Sequence, residues 1–154
     1  INSDALRDCS FRMDYPQPRC ELGLALRGIA TSALDLSDGL SGDLMHILLA
    51  SGVAAEIELT NLPIAWAVQR SVTPEQALQL ALGGGDDYEL CFTVPAGHET
   101  AISELAVVLD LPLTRIGTIT TGEPQIIWYY QGKAVELHIN GWEHFHHGEA
   151  GKTS

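Results

Sequence analysis

The chain has 154 residues, 45% of them hydrophobic, enough for one domain with its own core and too apolar for a disordered segment. Twenty acidic against eight basic side chains give a net charge of −12, which argues against direct binding of nucleic acid, because phosphate backbones are gripped by Lys and Arg. No apolar run approaches the ~20 residues that cross a bilayer, the opening INSDALRDCS is no secretory signal, and three widely spaced cysteines (Cys9, Cys20, Cys91) with no CxxC pair point to a reducing cytoplasm and to neither a disulfide framework nor a zinc site.

Residues 1–19, with Pro16 and Pro18, read as an extended linker arriving from a preceding domain. In ELGLALRGIA, Leu22, Leu26 and Ile29 fall near helical spacing, and TSALDL is a short buried strand. LSGDLMHILLAS is predicted as a helix with Leu40, Leu44, Ile47 and Leu48 on one face and Gly52 as its stop. VAAEIEL follows as a strand, Pro63 opens a short helix through Ala67, and Pro74 sits at the first turn of the helix PEQALQLAL. Gly83-Gly84-Gly85 ends that helix. DYELCFTV alternates as a strand, with Tyr88, Leu90 and Phe92 on one face. Residues 98–109 form an amphipathic helix with Ile102, Leu105 and Leu109 inward. TRIGTIT is a strand, and QIIWYY and KAVELHI are paired through Gln131-Gly132 as a hairpin. The expected domain therefore covers 20–146, with 147–154 as a disordered tail. Its class is α+β, a mixed sheet with helices packed on its faces.

Two segments carry candidate chemistry. In TSALDLSDGLSGDL a strand delivers Asp35, Ser37 and Asp38 follow in a turn, and Gly39 allows close backbone approach just before a helix starts. Helix-start N–H groups favour anions, and Asp35 and Asp38 favour metal ions. Together they suit a phosphate held with Mg²⁺. The competing reading is plain helix capping, with Asp43 a solvated helix residue. In LGGGDDYELCF, three glycines precede Asp86 and Asp87, which can bind a metal or a cationic ligand; the competing reading is a helix stop and an ordinary turn. His144, His146 and His147 read as surface chain, His46 and His138 as structural polar residues, and Trp142 and Phe145 as core caps or stacking surfaces for a flat heterocycle.

Taken together, ALDLSDGLSGDLMHIL and ALGGGDDYELCFTVP resemble the paired motifs of the thiamine-monophosphate kinase family, DISDGL…DL and GGEDYEL, in the same order and at a fitting separation. The PQPR lead-in, LPI and GWEHF agree more weakly. The resemblance spans residues 15 to 146 and implies the carboxy-terminal half of an ATP-dependent kinase that turns thiamine monophosphate into thiamine diphosphate. It also implies that this half, inactive by itself, folds like the carboxy-terminal domain of aminoimidazole ribonucleotide synthetase. By the same resemblance Asp35 and Asp38 are Mg²⁺ ligands and Ser37 contacts an ATP phosphate. Asp86, standing where the family has Glu, meets the thiamine phosphate, and Trp142 and Phe145 lie against the substrate ring. No protein side chain acts as the base. The enzyme so implied is a cytoplasmic homodimer, joined through its other domain, that binds neither nucleic acid nor membrane. Two alternatives stand beside it: another ATP-dependent superfamily member, such as an aminoimidazole ribonucleotide or selenophosphate synthetase, and a non-catalytic module that binds phosphate ligands.

Overall fold

The computed structural model of the chain describes residues 14–85 and 88–137. Helix α1 (Cys20–Ala25) leads in and buries Leu22, with Leu26 buried just past its end. Strand β1 (Ser32–Asp35) pairs antiparallel with β3 (Leu90–Thr93), Ser32 opposite Thr93 and Asp35 opposite Leu90. The ribbon continues past both strands: the Leu36 amide donates to the Glu89 carbonyl at 2.9 Å and the Thr31 amide to the Thr93 carbonyl at 2.8 Å.

Helix α2 (Leu40–Ser51) occupies the span its periodicity predicts, with Leu40, Leu44, Ile47 and Leu48 buried. Gly52 ends it in the left-handed region at φ 64°, its amide reaching the Leu48 carbonyl at 2.8 Å. A four-stranded mixed sheet then forms in the order β4-β2-β5-β6. Strand β2 (Ala54–Glu58) lies inside it, antiparallel to β4 (Gly117–Thr120) and parallel to β5 (Ile126–Tyr130). Strand β6 (Lys133–Val135) returns from β5 through Gln131 (φ 52°) and Gly132 (φ 75°), the pair of left-handed residues that a two-residue hairpin turn demands. Glu58 locks that turn from across the sheet. Its carboxylate accepts the amides of Gln131 (3.0 Å) and Gly132 (2.9 Å) as well as the amide (3.1 Å) and hydroxyl (2.6 Å) of Thr60. These donors, the Thr60 hydroxyl foremost, favour the ionised form and hold the carboxyl down at about 2.

Helix α4 (Pro74–Gly83) follows a short α3 (Trp66–Gln69) and starts on a capping box: the Gln76 amide donates to Thr73 Oγ1 at 3.3 Å, and the Thr73 amide donates to Gln76 Oε1 at 3.1 Å. Its Leu78 and Leu82 join Leu40, Leu44 and Leu48 of α2 with Ala55, Ile57 and Leu59 in one core. Helix α5 (Glu99–Val108) packs more loosely; Ile102, Leu105 and Leu109 turn inward but reach only half-burial. The expected class, a mixed sheet with helices, is thus what the chain adopts.

Several elements differ from the reading of the sequence: the strand in TSALDL is half exposed and not buried, TRIGTIT is extended in the sheet only from Gly117, and KAVELHI, among the described residues, only as far as Val135. No helix opens at Pro63. Leu59–Asn61 form a 3₁₀ turn, the Ile64 amide is drawn back to the Leu62 carbonyl at 2.9 Å, and the helix begins only at Trp66. Strand β3 starts at Leu90 and not at residue 87, because Tyr88 turns left-handed at φ 54° and breaks the extended run.

Candidate functional site

The turn that joins β1 to α2 is where the two candidate segments meet. Asp35 ends β1, and Ser37 and Asp38 follow it; all three are exposed. Gly39 is the residue before the helix, at φ 94°, a conformation open to glycine and strained for other residues. It is also wedged against the end of α4: a Cβ there would lie 2.8 Å from the Cα of Gly83 and 2.8 Å from the Leu82 carbonyl oxygen. The contact is reciprocal along the chain. A Cβ on Gly85 would fall 2.2 Å from the Ser37 carbonyl oxygen. The glycine run after α4 and the Ser-Asp-Gly turn after β1 therefore lie backbone against backbone, and side chains on Gly39 or Gly85 would force them apart.

Capping does not explain this turn. Neither Ser37 nor Asp38 caps α2, whose N-cap is Gly39 with no side-chain hydrogen bond. Asp43, expected as a solvated helix residue, is instead 4% exposed. It sits on the arc between Leu40 and Ile47 that faces the core, and its Oδ2 reaches back to accept the amides of Ser37 (2.8 Å) and Asp38 (2.9 Å). The usual direction is reversed: the helix's first turn supplies the acceptor and the preceding turn supplies the donors. A carboxylate in the first turn is also favoured by the helix dipole. Sequence reasoning did not place Asp43 at this turn; its position on the apolar arc was the signal that could have found it.

Electrostatics fit the same picture. Cys91 lies opposite Leu34 in the ribbon, and burial, with the charge of Asp43 adding to it, pushes its thiol up to about 11. Cys91 is thus a neutral packing residue and no nucleophile. The strand that leaves the glycine loop is tied down by Glu89, which takes a two-pronged grip from Arg19 of the lead-in, Nε to Oε2 at 2.8 Å and Nη2 to Oε1 at 2.6 Å. The pairing favours the charged guanidinium and raises Arg19 further.

Among the described residues, the carboxylates of Asp35 and Asp38 are held by no hydrogen bond or ion pair. No group of three or more His, Cys, Asp or Glu side chains gathers there to cage a metal. Two free carboxylates do fit Mg²⁺, which commonly takes one or two from the protein and fills its shell with water and substrate phosphate. The Cβ of Asp38 lies over the first turn of α2, 3.9 Å from where a Cβ on Gly42 would be. Asp86, Trp142 and Phe145, expected at the substrate, lie outside the described residues, as do Asp87, His138, His144, His146 and His147.

A groove of about 460 Å³ lies elsewhere, lined by Glu56, Glu58, Arg115, Thr118 and Tyr129. It contains none of the turn residues. Among the described residues, no helix is long and apolar enough to cross a membrane.

Comparison with known proteins bears on the whole arrangement. The family profile "AIR synthase related protein, C-terminal domain" matches residues 4–129. A thiamine-monophosphate kinase of Escherichia coli (strain K12) is 47% identical over 130 residues, which cover 84% of this chain and 40% of that protein. The crystal structure of thiamine-monophosphate kinase from Stenotrophomonas maltophilia K279a superposes with a TM-score of 0.78 at 43% identity, covering 88% of this chain and 42% of that one. The structure "AaThiL complexed with AMPPCP and TMP" superposes with a TM-score of 0.70 at 28% identity, covering 94% and 43%. The chain spans about two fifths of the length of the curated relatives it matches.

Proposed function

Since this chain belongs to the family of AIR synthase related protein C-terminal domains, we propose that it is the carboxy-terminal half of an ATP-dependent kinase that converts thiamine monophosphate to thiamine diphosphate. One observation carries this reading beyond the similarity of the relatives. The two sequence segments that resemble that kinase family are packed on one another, Gly83–Gly85 against Ser37–Gly39, with Asp38 at the seam and Asp35 at the strand end just before it, both carboxylates unpaired among the described residues.

The chemistry asks little covalent work of the protein. The bond between the terminal phosphorus of ATP and its bridging oxygen breaks. A phosphate oxygen of thiamine monophosphate bonds to that phosphorus, and ADP leaves. The attacking oxygen is already anionic, so no side chain needs to remove a proton. Rate then depends on alignment and on neutralising the charge shared between two phosphates.

Asp35 and Asp38 are the residues that would hold Mg²⁺, which when bound supplies that neutralisation. Ser37 is exposed and lies between them in sequence, and its hydroxyl is suited to donate to an ATP phosphate oxygen. Asp86 is assigned to the thiamine phosphate, and Trp142 with Phe145 to the substrate ring. AMPPCP is an ATP analogue that resists cleavage at its terminal bridge, and its presence in a structural relative supports nucleotide binding by this family of folds. The reading includes a cytoplasmic enzyme, active as a homodimer joined through its amino-terminal half, with no nucleic-acid or membrane partner.

The test is thiamine diphosphate formation by the full-length kinase from ATP, Mg²⁺ and thiamine monophosphate. Asp35→Asn and Asp38→Asn are each expected to lower the rate by ~10²-fold or more, since each removes charge at a phosphate-bound metal. Near-normal rates in both would sink the metal assignment. Absence of product from folded, ATP-binding protein would sink the substrate assignment.

A further inference from the structure

We propose that Asp43 is a positioning residue for the phosphoryl transfer: through one buried carboxylate oxygen it sets the backbone of Ser37 and Asp38, and so fixes where the phosphate contact and the metal ligand point. This rests on the kinase reading above and names a residue that reading does not use.

Three aspartates fall within the turn and the first turn of α2, and the structure divides them sharply. Asp35 and Asp38 face solvent without partners among the described residues, while Asp43 is 4% exposed and points inward. Both amides that Asp43 Oδ2 accepts belong to residues placed at the ligand, Ser37 at 2.8 Å and Asp38 at 2.9 Å. Two charge-assisted bonds to one oxygen leave the Leu36–Asp38 peptides little freedom to rotate. Among the described residues no Lys, Arg or His forms an ion pair with this carboxylate. A buried charge without a cation is costly, and a leucine would pack there at less expense. A carboxylate is warranted where the two amides must be held in one direction. It also occupies donors that would otherwise be free to bind an anion nonproductively. The glycine contacts hold the turn from its other side, Gly85 against the Ser37 carbonyl.

The experiment compares wild type, Asp43→Asn and Asp43→Ala in the full-length kinase. Two readouts are taken: Mg²⁺-dependent kinetics, and hydrogen–deuterium exchange of the peptide spanning residues 36–40, which does not depend on turnover. Asp43→Ala is expected to speed exchange there about tenfold, raise the Mg²⁺ needed for half-maximal rate about tenfold and lower kcat ~10- to 100-fold, with KM for thiamine monophosphate within about twofold. Asp43→Asn keeps one acceptor oxygen and is expected to recover most of kcat, with Mg²⁺ demand raised about threefold. Should the alanine variant not fold, the asparagine variant decides: exchange and Mg²⁺ demand both equal to wild type would overturn the role. So would an alanine variant with fast exchange and wild-type kinetics, or kinetic losses that track unfolding with no separate Mg²⁺ shift. A wild-type enzyme that makes no thiamine diphosphate removes the kinase reading, and this role with it. That failure is distinguishable, because the exchange comparison still reports whether Asp43 holds the turn.

Discussion

Replacing Gly85 by alanine puts a methyl group in place of an α-hydrogen at the seam between the two halves of the site. The new Cβ would lie 2.2 Å from the Ser37 carbonyl oxygen and 3.3 Å from its carbon, whereas real Cβ contacts essentially never fall under 3.0 Å. Opening the contact from 2.2 to 3.0 Å moves one backbone by about 0.8 Å at the least. The Ser37 turn resists that shift, because Asp43 holds two of its amides and Glu89 holds the amide of Leu36. Strain of this kind costs about 1–3 kcal/mol. A displacement near 1 Å at reacting groups costs ~10²-fold in rate. We therefore expect Gly85→Ala to lower kcat/KM for thiamine monophosphate by ~30- to 100-fold in the full-length kinase, and to lower its urea midpoint modestly. Gly83→Ala is the matched control. A Cβ there meets nothing within 4 Å, and the residue closes a helix, where alanine is the better former. It should leave rate and stability unchanged or slightly improved. A Gly85→Ala enzyme within threefold of wild type, beside an inert Gly83→Ala, would refute the idea that loop-on-turn packing sets the site.

Two other outcomes follow from groups whose ionisation the fold shifts. Glu58 is held at about 2, below the ordinary glutamate value near 4.3. A depressed carboxyl contributes stability that is complete above the unfolded value and drains away as pH falls through 4.3 toward 2. Unfolding followed across that window should steepen with acid in wild type and flatten in Glu58→Gln; identical slopes would remove the hairpin lock as the cause. Cys91, raised to about 11, should alkylate at pH 8 at least ~100-fold more slowly than an ordinary exposed thiol, with exposed Cys20 modified well ahead of it. Mass mapping of the labelled peptides checks this, and equal labelling of both would contradict the burial of Cys91.

What could be read from the sequence was what depends on nearest neighbours. The span of α2 came from four apolar residues at helical spacing and one glycine, and the start of α4 from Pro74. The Gln131-Gly132 hairpin came from a turn pair between two apolar runs. The misreadings arise from backbone turns and side-chain-to-backbone bonds that residue type alone does not encode. Asp43 looks solvated to any rule that counts charge, yet its burial is made tolerable by two amides of the turn just ahead of its own helix. Tyr88 keeps the alternation of a strand but sits at φ 54°, out of the extended run. Nor could local pattern reveal that β1 and β3 form a ribbon apart from the four-stranded sheet, since that pairing joins segments far apart in the chain. Of the candidate site, Asp35, Ser37 and Asp38 were legible as a turn at a strand's end. What places them, the glycine seam and the Asp43 carboxylate, was not.

The β1–β3 ribbon has a consequence for how this protein is made. Thr31 meets Thr93, 62 residues further on, so β1, once it leaves a ribosome, waits for its partner through α2, β2, α3 and α4. At about 5–20 residues per second that wait lasts several seconds. Meanwhile α2 can form from local contacts, and Asp43 with it, but the turn ahead of α2 has neither a strand opposite nor a glycine loop against it. The turn carrying Asp35, Ser37 and Asp38 is therefore among the last parts of this region to set during synthesis. A nascent chain stalled before Gly85 would carry Asp35 and Asp38 without the glycine loop that packs against their turn.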